Sequence, residues 1–128
     1  RNSKMSDLKR YEVLLAAANF YEEDLEDNDL ASLRCREAIK LNPKDPRAIA
    51  AYATLLYTHH EDLNLAEKYF RQALKMDVNS VDCILGFAKF QLQGRKNIAM
   101  GEHYIQMALK KEATSIEALL AYARFWRY

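Results

Sequence analysis

Apolar residues along the chain follow two alternating patterns. One type of segment is apolar on nearly every side, as in VLLAAANF, AIAAYATLLY, CILGFAKF and IEALLAYARFW. A helix without a polar face is covered on most sides, so these segments predict inner helices. The other type is amphipathic, as in NLAEKYFRQALKM, where apolar residues recur at i, i+3, i+4 and i+7 and polar residues take the opposite face. These segments predict outer helices with one buried side.

The two kinds of segment repeat with a fixed period. The alanines Ala38, Ala73 and Ala108 of the amphipathic segments are 35 residues apart. The apolar segments carry alanines in the same register: Ala18, Ala53, Ala88 and Ala123. Because a single helical hairpin cannot bury its own faces, such a period indicates stacked neighbours. We therefore predict an all-α, two-layer solenoid of antiparallel helical hairpins with about seven helices.

Residues suited to helix capping occur in the same register. They are Asp45, Ser80 and Ser115 before the inner helices, and Asp27, Asp62 and Asn97 before the outer helices. Their side-chain oxygens can accept hydrogen bonds from amides that the first turn leaves unpaired. The first inner helix has Arg10 at the expected place, so we predict that it begins earlier, near Ser6 and Asp7. The approximate repeats are 8–44, 45–79 and 80–114, followed by an unpaired helix over 115–128.

The repeated residues resemble those of the tetratricopeptide repeat (TPR) family over roughly residues 8 to 128. The family's small residues match three sets: Ala18, Ala53, Ala88 and Ala123; Ala31, Ala66 and Gly101; and Ala38, Ala73 and Ala108. Its aromatic residue matches only Phe70, and its closing proline matches only Pro43. The period exceeds the family's usual value of about 34, and we place the extra residue in the turn within each hairpin. The resemblance implies a right-handed superhelix with a concave groove that binds a protein or peptide.

Charge and cysteine usage narrow the class of protein. The net charge of +1 argues against binding to nucleic acid or membrane by electrostatics alone. The longest apolar runs are too short for a membrane span in this segment. Cys35 and Cys83 have no partner motif nearby, which predicts an intracellular, reducing compartment, the cytoplasm. The chain opens at Arg1 and not at a methionine, so we expect it to be part of a longer repeat protein.

The acidic stretch YEEDLEDNDLA over 21–31 is a candidate site when considered alone. A calcium loop would need glycine at the place of Asp29 and glutamate at the place of Cys35, so this chemistry fails. The register makes Asp27 a helix cap and leaves the other carboxylates as a solvated turn, with an acidic docking patch as the alternative. No third ligand accompanies the histidines at metal-site spacing, so we predict surface histidines, no metal and no cofactor. These histidines are His59, His60 and His103.

Two other functions remain as alternatives. Basic side chains form a ridge on the outer helices: Arg36, Lys40, Arg71, Lys75, Lys110 and Lys111. Lysines near helix C-termini are favoured by the helix dipole, so we interpret the ridge as a stabilising surface and binding of single-stranded RNA as the alternative. Pentatricopeptide repeats, which read RNA, usually carry a methionine and a glycine where this chain repeats alanine. Phosphate-loop and nucleophile motifs are absent from the sequence, which predicts a non-enzyme; a repeat-like subunit of an enzyme complex is the third alternative.

The family resemblance places four rows of inner-helix residues along the concave groove. The rows are Glu12, Arg47, Asp82 and Glu117; Leu15, Ala50, Leu85 and Leu120; Ala16, Ala51, Gly86 and Ala121; and Asn19, Thr54, Lys89 and Arg124. The small and apolar middle rows would admit an apolar ligand such as a helix, unless they only pack within a tight superhelix. The residues we predict to contact a partner are Leu15, Asn19, Arg47, Thr54, Leu85, Lys89, Leu120 and Arg124.

TPR domains that hold the acidic tails of heat-shock chaperones use a clamp of lysine, asparagine and arginine. The clamp places in this chain are Leu15, Asn19, Ala51, Asp82 and Gly86. Only Asn19 matches, and Asp82 has the opposite charge. The sequence therefore predicts no clamp for a chaperone tail.

The last apolar segment lacks the polar outer face that a terminal cap requires. Tyr122, Phe125 and Trp126 predict an exposed apolar face there, and we expect another surface to cover it. That cover is a further part of the protein or a partner, and self-association through this helix stays open. The sequence as a whole predicts a non-catalytic scaffold that binds a peptide, a helix or a neighbouring subunit in a larger assembly.

Overall fold

A computed structural model describes residues 6–59, 62–112, 119, 120 and 123, and this part of the chain is helical with short turns. Its α-helices are α1 (Asp7–Glu23), α2 (Asn28–Leu41), α3 (Pro46–Thr58), α4 (Leu63–Met76), α5 (Val81–Lys89) and α6 (Ile98–Lys111). A π-helical segment, Phe90–Gly94, continues α5. The predicted all-α solenoid is confirmed. The predicted seventh helix lies mostly outside the described residues, although Leu119, Leu120 and Ala123 are helical.

Helix starts follow the capping residues of the sequence. The carboxylates of Asp27 and Asp62 accept from the amides three residues later at 3.1 and 3.2 Å, and Asn97 does the same at 3.2 Å. Ser80 caps α5, and Asp45 caps α3 in front of Pro46. The first helix begins at Asp7 with Ser6 as its cap, as predicted from the unsuitable residue Arg10. Ser115 lies outside the described residues.

The same backbone hydrogen bond closes the turn within each hairpin. The amide of each capping residue donates to a carbonyl six residues earlier: Asp27 to Tyr21 at 2.7 Å, Asp62 to Leu56 at 3.0 Å and Asn97 to Gln91 at 2.7 Å. The residues just before the first and third caps, Glu26 and Lys96, have φ of 52° and 59°. This left-handed conformation is favoured by glycine and costs other residues free energy.

Small residues let the helices approach one another closely. The repeated alanines of α1 to α6 are all buried, from Ala18 in α1 to Ala108 in α6. Gly101 has the tightest environment, since a Cβ atom at this position would lie 2.4 Å from Leu92 Cδ2. Between α3, α4 and α5 the core is aromatic: the rings of Tyr57 and Phe90 lie 5.3 Å apart, and Phe70 and Phe90 lie 5.4 Å apart.

The π-helical segment is a feature that the sequence pattern did not predict. The amide of Arg95 donates to the carbonyl of Phe90, five residues earlier, at 3.1 Å. The end of α1 has a similar bond from Leu25 to Phe20 at 3.3 Å, and Phe20 and Phe90 are equivalent in the repeat. Hydrophobic periodicity is averaged over several turns, so it does not reveal a single wider turn.

The hairpins α1–α2, α3–α4 and α5–α6 stack in chain order. α2 packs on α3, α4 packs on α5, and the inner helices α3 and α5 also touch each other. The inner helices α1, α3 and α5 therefore form one side of the array. Among the described residues, none of the helices has the length and apolar character needed to cross a membrane.

Candidate functional site

A concave groove of about 520 Å³ runs across the inner helices. Its lining residues are Glu12, Leu15, Ala16 and Asn19 of α1; Arg47, Ala50, Ala51, Thr54 and Tyr57 of α3; and Asp82, Leu85, Gly86 and Lys89 of α5. The structure thus brings together the members of all four sequence rows that belong to these three helices. Tyr57 is an addition that the rows did not include. It follows Thr54 by three residues, so the helical period was the signal that could have identified it.

The predicted partner-binding residues divide into three groups. Leu15, Asn19, Arg47, Thr54, Leu85 and Lys89 line the groove. Leu120 is helical and 50% exposed. Arg124 of the last row and the terminal aromatic residues lie outside the described residues; these aromatic residues are Tyr122, Phe125 and Trp126. Binding at all of these positions stays a prediction.

Leu85 lies at the floor of the groove and belongs to the core. Its side chain is only 3% exposed and packs in a cluster with Ile84, Leu92 and Ile105. Leu85 therefore offers little apolar surface to a ligand, and its part in partner binding stays a prediction. Leu15 of α1 is partly exposed and offers more apolar surface in the same row.

Arg47 is already bound within the protein. Its Nη2 atom lies 2.6 Å from Glu12 Oε2 and 2.8 Å from Asp45 Oδ2, and its guanidinium lies over the Tyr11 ring at 5.3 Å. The buried Tyr11 hydroxyl donates to the Asp45 carbonyl at 3.3 Å and accepts from the Ala48 amide at 3.1 Å. We call these residues the α1–α3 clasp, since they join the first hairpin to the second.

The α1–α3 clasp sets the protonation of its members. The hydrogen bond from Arg47 lowers the pKa of Glu12. Burial alone would raise the pKa of Asp45, but hydrogen bonds from Arg47 outweigh it and the pKa is lowered. Burial raises the pKa of Tyr11, so its hydroxyl stays protonated. Because Glu12 and Arg47 are equivalent and oppositely charged, the register was a signal for their pairing that sequence reasoning missed.

The polar side chains open to a ligand are Asn19, Asp82 and Lys89. Each is exposed, and none has a hydrogen-bond or ion-pair partner within the described residues. Thr54 donates its hydroxyl to the Ala50 carbonyl at 3.0 Å, which leaves its oxygen free to accept. The groove therefore offers the unpaired carboxylate of Asp82 at one edge. At the other edge it offers the amine of Lys89 beside the neutral side chains of Asn19 and Thr54.

The acidic turn after α1 divides into structural and solvated carboxylates. Asp27 caps α2, and Glu22 Oε2 lies 3.0 Å from His59 Nε2 of the next hairpin. Glu23, Asp24 and Glu26 are exposed. In the part of the chain that the structure describes, no three His, Cys, Asp or Glu side chains are grouped to hold a metal ion.

Both cysteines are free and buried. Burial raises the pKa of Cys35 to about 12 and also raises the pKa of Cys83. Thiols of this kind are weak nucleophiles because the thiolate is the reactive form. They act in the core as small apolar residues.

One carboxylate, Glu67, pairs with Arg71 of the basic ridge and also with Arg95, which is not part of the ridge. Arg71 and Arg95 both pair with Glu67, at 2.8 and 2.7 Å. Lys40 and Lys75 lie in the last turns of α2 and α4, where the helix dipole favours positive charge. At the end of α6, Lys111 donates to Asn79 at 2.7 Å.

No family model matches the sequence, and no curated protein matches it. Solved structures do match. The TPR domain of Arabidopsis OM64 has a TM-score of 0.72 at 19% identity, over 95% of this chain and 98% of that chain. The first TPR domain of Spaghetti (RPAP3), bound to the HSP90 peptide SRMEEVD, has a TM-score of 0.71 at 14% identity, over 93% of this chain and 92% of that chain. At these identities the likeness establishes the fold, and the chain has the tetratricopeptide repeat fold that its repeated small residues indicate.

Proposed function

We propose that the chain is a non-catalytic scaffold whose concave groove binds a segment of a partner protein. The observation that carries this proposal is the row Ala16, Ala51 and Gly86, which runs along the groove and contributes almost no side chain. A row of small residues lets the backbone of a ligand approach the inner helices closely, and Leu15 beside it offers apolar contact. The peptide bound to the RPAP3 domain supports a peptide as the type of ligand for this fold.

The polar residues of the groove favour a ligand of mixed charge. Asp82 and Lys89 stand at opposite edges and are two turns apart on α5. A partner segment with a basic residue towards Asp82 and an acidic residue towards Lys89 would satisfy both. Arg47 would contribute less to binding of a partner, since it already forms ion pairs with Glu12 and Asp45.

We infer that the groove does not clamp an acidic chaperone tail. A peptide such as SRMEEVD would meet the carboxylates of Glu12 and Asp82, and Lys89 is the groove's unengaged cation among the described residues. Calorimetric titration of this peptide is expected to show no measurable binding. Saturable binding that Lys89→Glu and Asn19→Ala both remove would contradict this part of the proposal. Tighter binding by Asp82→Lys than by the wild type would support it.

Site-specific photo-crosslinking tests the groove itself. Benzoylphenylalanine is introduced at Thr54 or Lys89 in the groove, and at Gln72 on the exposed face of α4 as the matched control. Irradiation in cells followed by mass spectrometry is expected to join the same partner peptide to positions 54 and 89 and not to position 72. Crosslinks that form only at position 72 would place the partner on the convex face and refute the groove.

The proposed function includes neither RNA binding nor catalysis. Glu67 pairs with Arg71 of the basic ridge, and helix termini account for its lysines. Binding of single-stranded poly(U) is therefore expected to be unmeasurable at low salt, and salt-sensitive affinity would favour the RNA alternative instead. We further infer from the buried, unlinked Cys35 and Cys83 that the protein works in the cytoplasm. Binding of a partner segment in the groove would make it a subunit of a larger complex.

A further inference from the structure

One edge of the Arg47 guanidinium is fixed by its own helix. The Nε and Nη2 atoms donate to the two carboxylate oxygens of Asp45 at 3.2 and 2.8 Å, and the Arg47 amide donates to the same carboxylate at 3.0 Å. Asp45 is fixed in turn, because it caps α3 and its carbonyl accepts from the hydroxyl of the buried Tyr11. The guanidinium also lies over the Tyr11 ring. Its position therefore does not depend on α1 supplying a carboxylate.

The other edge of the guanidinium, formed by Nη1 and Nη2, is occupied by Glu12 of α1. We call this edge the Arg47 fork. Nη1 lies 3.2 Å from Glu12 Oε1, and Nη2 lies 2.6 Å from Glu12 Oε2. Two parallel bonds of this kind are the geometry by which arginine binds a carboxylate of a ligand. The Glu12 side chain is 49% exposed, against 20% for Asp45, so Glu12 is the partner that solvent and ligands can reach.

The Arg47 fork has a second carboxylate within the same row of the groove. Glu12, Arg47 and Asp82 follow one another at intervals of 35 residues, and all three line the groove. The fork pairs with Glu12, while Asp82 has no ion-pair partner within the described residues. The row thus carries two carboxylates and one guanidinium, and the guanidinium is already bound.

This arrangement disfavours an acidic residue of a ligand for two reasons. Its carboxylate could use the Arg47 fork only by displacing Glu12, which is tethered to α1 and competes at a high effective concentration. After displacement, the Glu12 carboxylate would remain close to the incoming one, and like charges repel. Exposed ion pairs of this kind change an equilibrium by about fivefold at most, so Glu12 selects between ligands without locking the groove.

We propose that Glu12 determines the specificity of the groove as an internal competitor for Arg47. Its carboxylate occupies the fork that would otherwise hold an acidic residue of a partner segment. This end of the groove therefore rejects an acidic residue and favours a basic one, which the carboxylates of Glu12 and Asp82 attract. The inference rests on the proposed function, because it assigns the charge of the partner at one end of the same groove.

Chemical labelling measures whether the Arg47 fork is occupied. Phenylglyoxal adds across the two terminal nitrogens of a guanidinium, and mass spectrometry gives the labelling rate of each arginine in the whole chain. Arg36, which is exposed on α2, is the internal standard. Glu12→Gln keeps the shape of the side chain and removes its charge, so Arg47 should label about fivefold faster than in the wild type. Glu37→Gln is the matched control, because it releases Arg34 from a 2.8 Å pair on α2 and should leave the rate at Arg47 unchanged.

The acidic peptide SRMEEVD tests specificity in the same reaction. It is expected to slow the labelling of Arg47 in Glu12→Gln and to have no effect in the wild type, because the variant presents a free fork to the peptide's carboxylates. The control peptide has glutamine or asparagine in place of its acidic residues and an amidated C-terminus. This control should slow labelling in neither protein.

Three results would overturn the proposal. The first is wild-type Arg47 that labels as fast as Arg36, which would mean an open fork. The second is Asp82→Asn that accelerates labelling of Arg47 as much as Glu12→Gln does, which would assign the effect to the net charge of the groove. The third is Glu12→Gln that millimolar SRMEEVD leaves unprotected.

Labelling without peptide separates this inference from the proposed function. A groove that binds no partner would lose the crosslinks at positions 54 and 89 and keep the difference in labelling between the wild type and Glu12→Gln. That result would refute the proposed function and support the occupied Arg47 fork. Circular dichroism checks that each variant folds, and Glu12→Ala replaces Glu12→Gln if that variant does not.

Discussion

Replacing Gly101 with alanine is expected to lower the stability of the protein, although alanine is the better helix former. In an ordinary helix interior, Gly→Ala stabilises by about 0.5–1 kcal/mol, because alanine has less conformational freedom to lose. At Gly101 the new Cβ would lie 2.4 Å from both Cδ2 and Cγ of Leu92. Contacts this short require Leu92 to move, and Leu92 is buried. Overpacking of a close-packed core typically costs about 1–3 kcal/mol. We therefore expect Gly101→Ala to be destabilising, by about 1 kcal/mol once the helix term is subtracted.

Urea unfolding followed by circular dichroism measures this change as a shift in midpoint at constant m-value. Gln106→Gly and Gln106→Ala, at an exposed position of the same helix, give the propensity difference without the clash. The double variant Gly101→Ala with Leu92→Ala should be more stable than the sum of the two single changes, because the new methyl group occupies part of the space that Leu92 leaves. A Gly101→Ala variant as stable as the wild type, or more so, would refute the reasoning, as would strict additivity of the pair.

Three further expectations follow from the same structure. Lys96→Gly should stabilise the protein by about 1 kcal/mol in urea unfolding, because its φ of 59° is in the left-handed region; a loss of stability would show that the lysine side chain matters more. Arg47 lowers the pKa of Asp45 below its ordinary value of 3.8, so this carboxylate contributes stability at neutral pH that is lost as the pH falls through the ordinary value to the folded one. Arg47→Met should flatten this acid limb in unfolding curves measured at a series of pH values, and an unchanged limb would assign it to other carboxylates. Cys35 and Cys83 should react with a thiol reagent only as fast as the protein opens, and instant labelling of the native protein would contradict their burial.

Much of the fold could be predicted from the sequence because its signals are local. A capping side chain such as Asp62 bonds to an amide only three residues away, so the sequence is enough to locate the start of the helix. The same holds for the small residues of the repeat, since only a small side chain fits where two helices cross closely. The rows of the groove followed from the register, because residues one period apart on inner helices line up along the stack, and the family resemblance implied that these rows face the concave side.

The remaining part of the candidate site depended on neighbours that sequence position does not reveal. Leu15 and Leu85 occupy the same row, yet Leu15 is partly exposed and Leu85 is only 3% exposed, because α5 packs on α3, α4 and α6 whereas α1 packs mainly on α2. Arg47 looked available to a ligand until the structure placed Glu12 and Asp45 on either side of it.

The difference between what the sequence and the tertiary structure determine is clearest at three equivalent positions, Phe20, Leu55 and Phe90. The sequence by itself determined that these residues are equivalent, that they lie on inner helices and that their helices begin at capped ends, because periodicity and capping act within a few turns of the chain. Only the tertiary structure decided that Leu55 and Phe90 are buried while Phe20 is 49% exposed. The physical reason is that burial is a property of two surfaces, and the described chain supplies an outer helix to cover α3 and α5 but not the same side of α1.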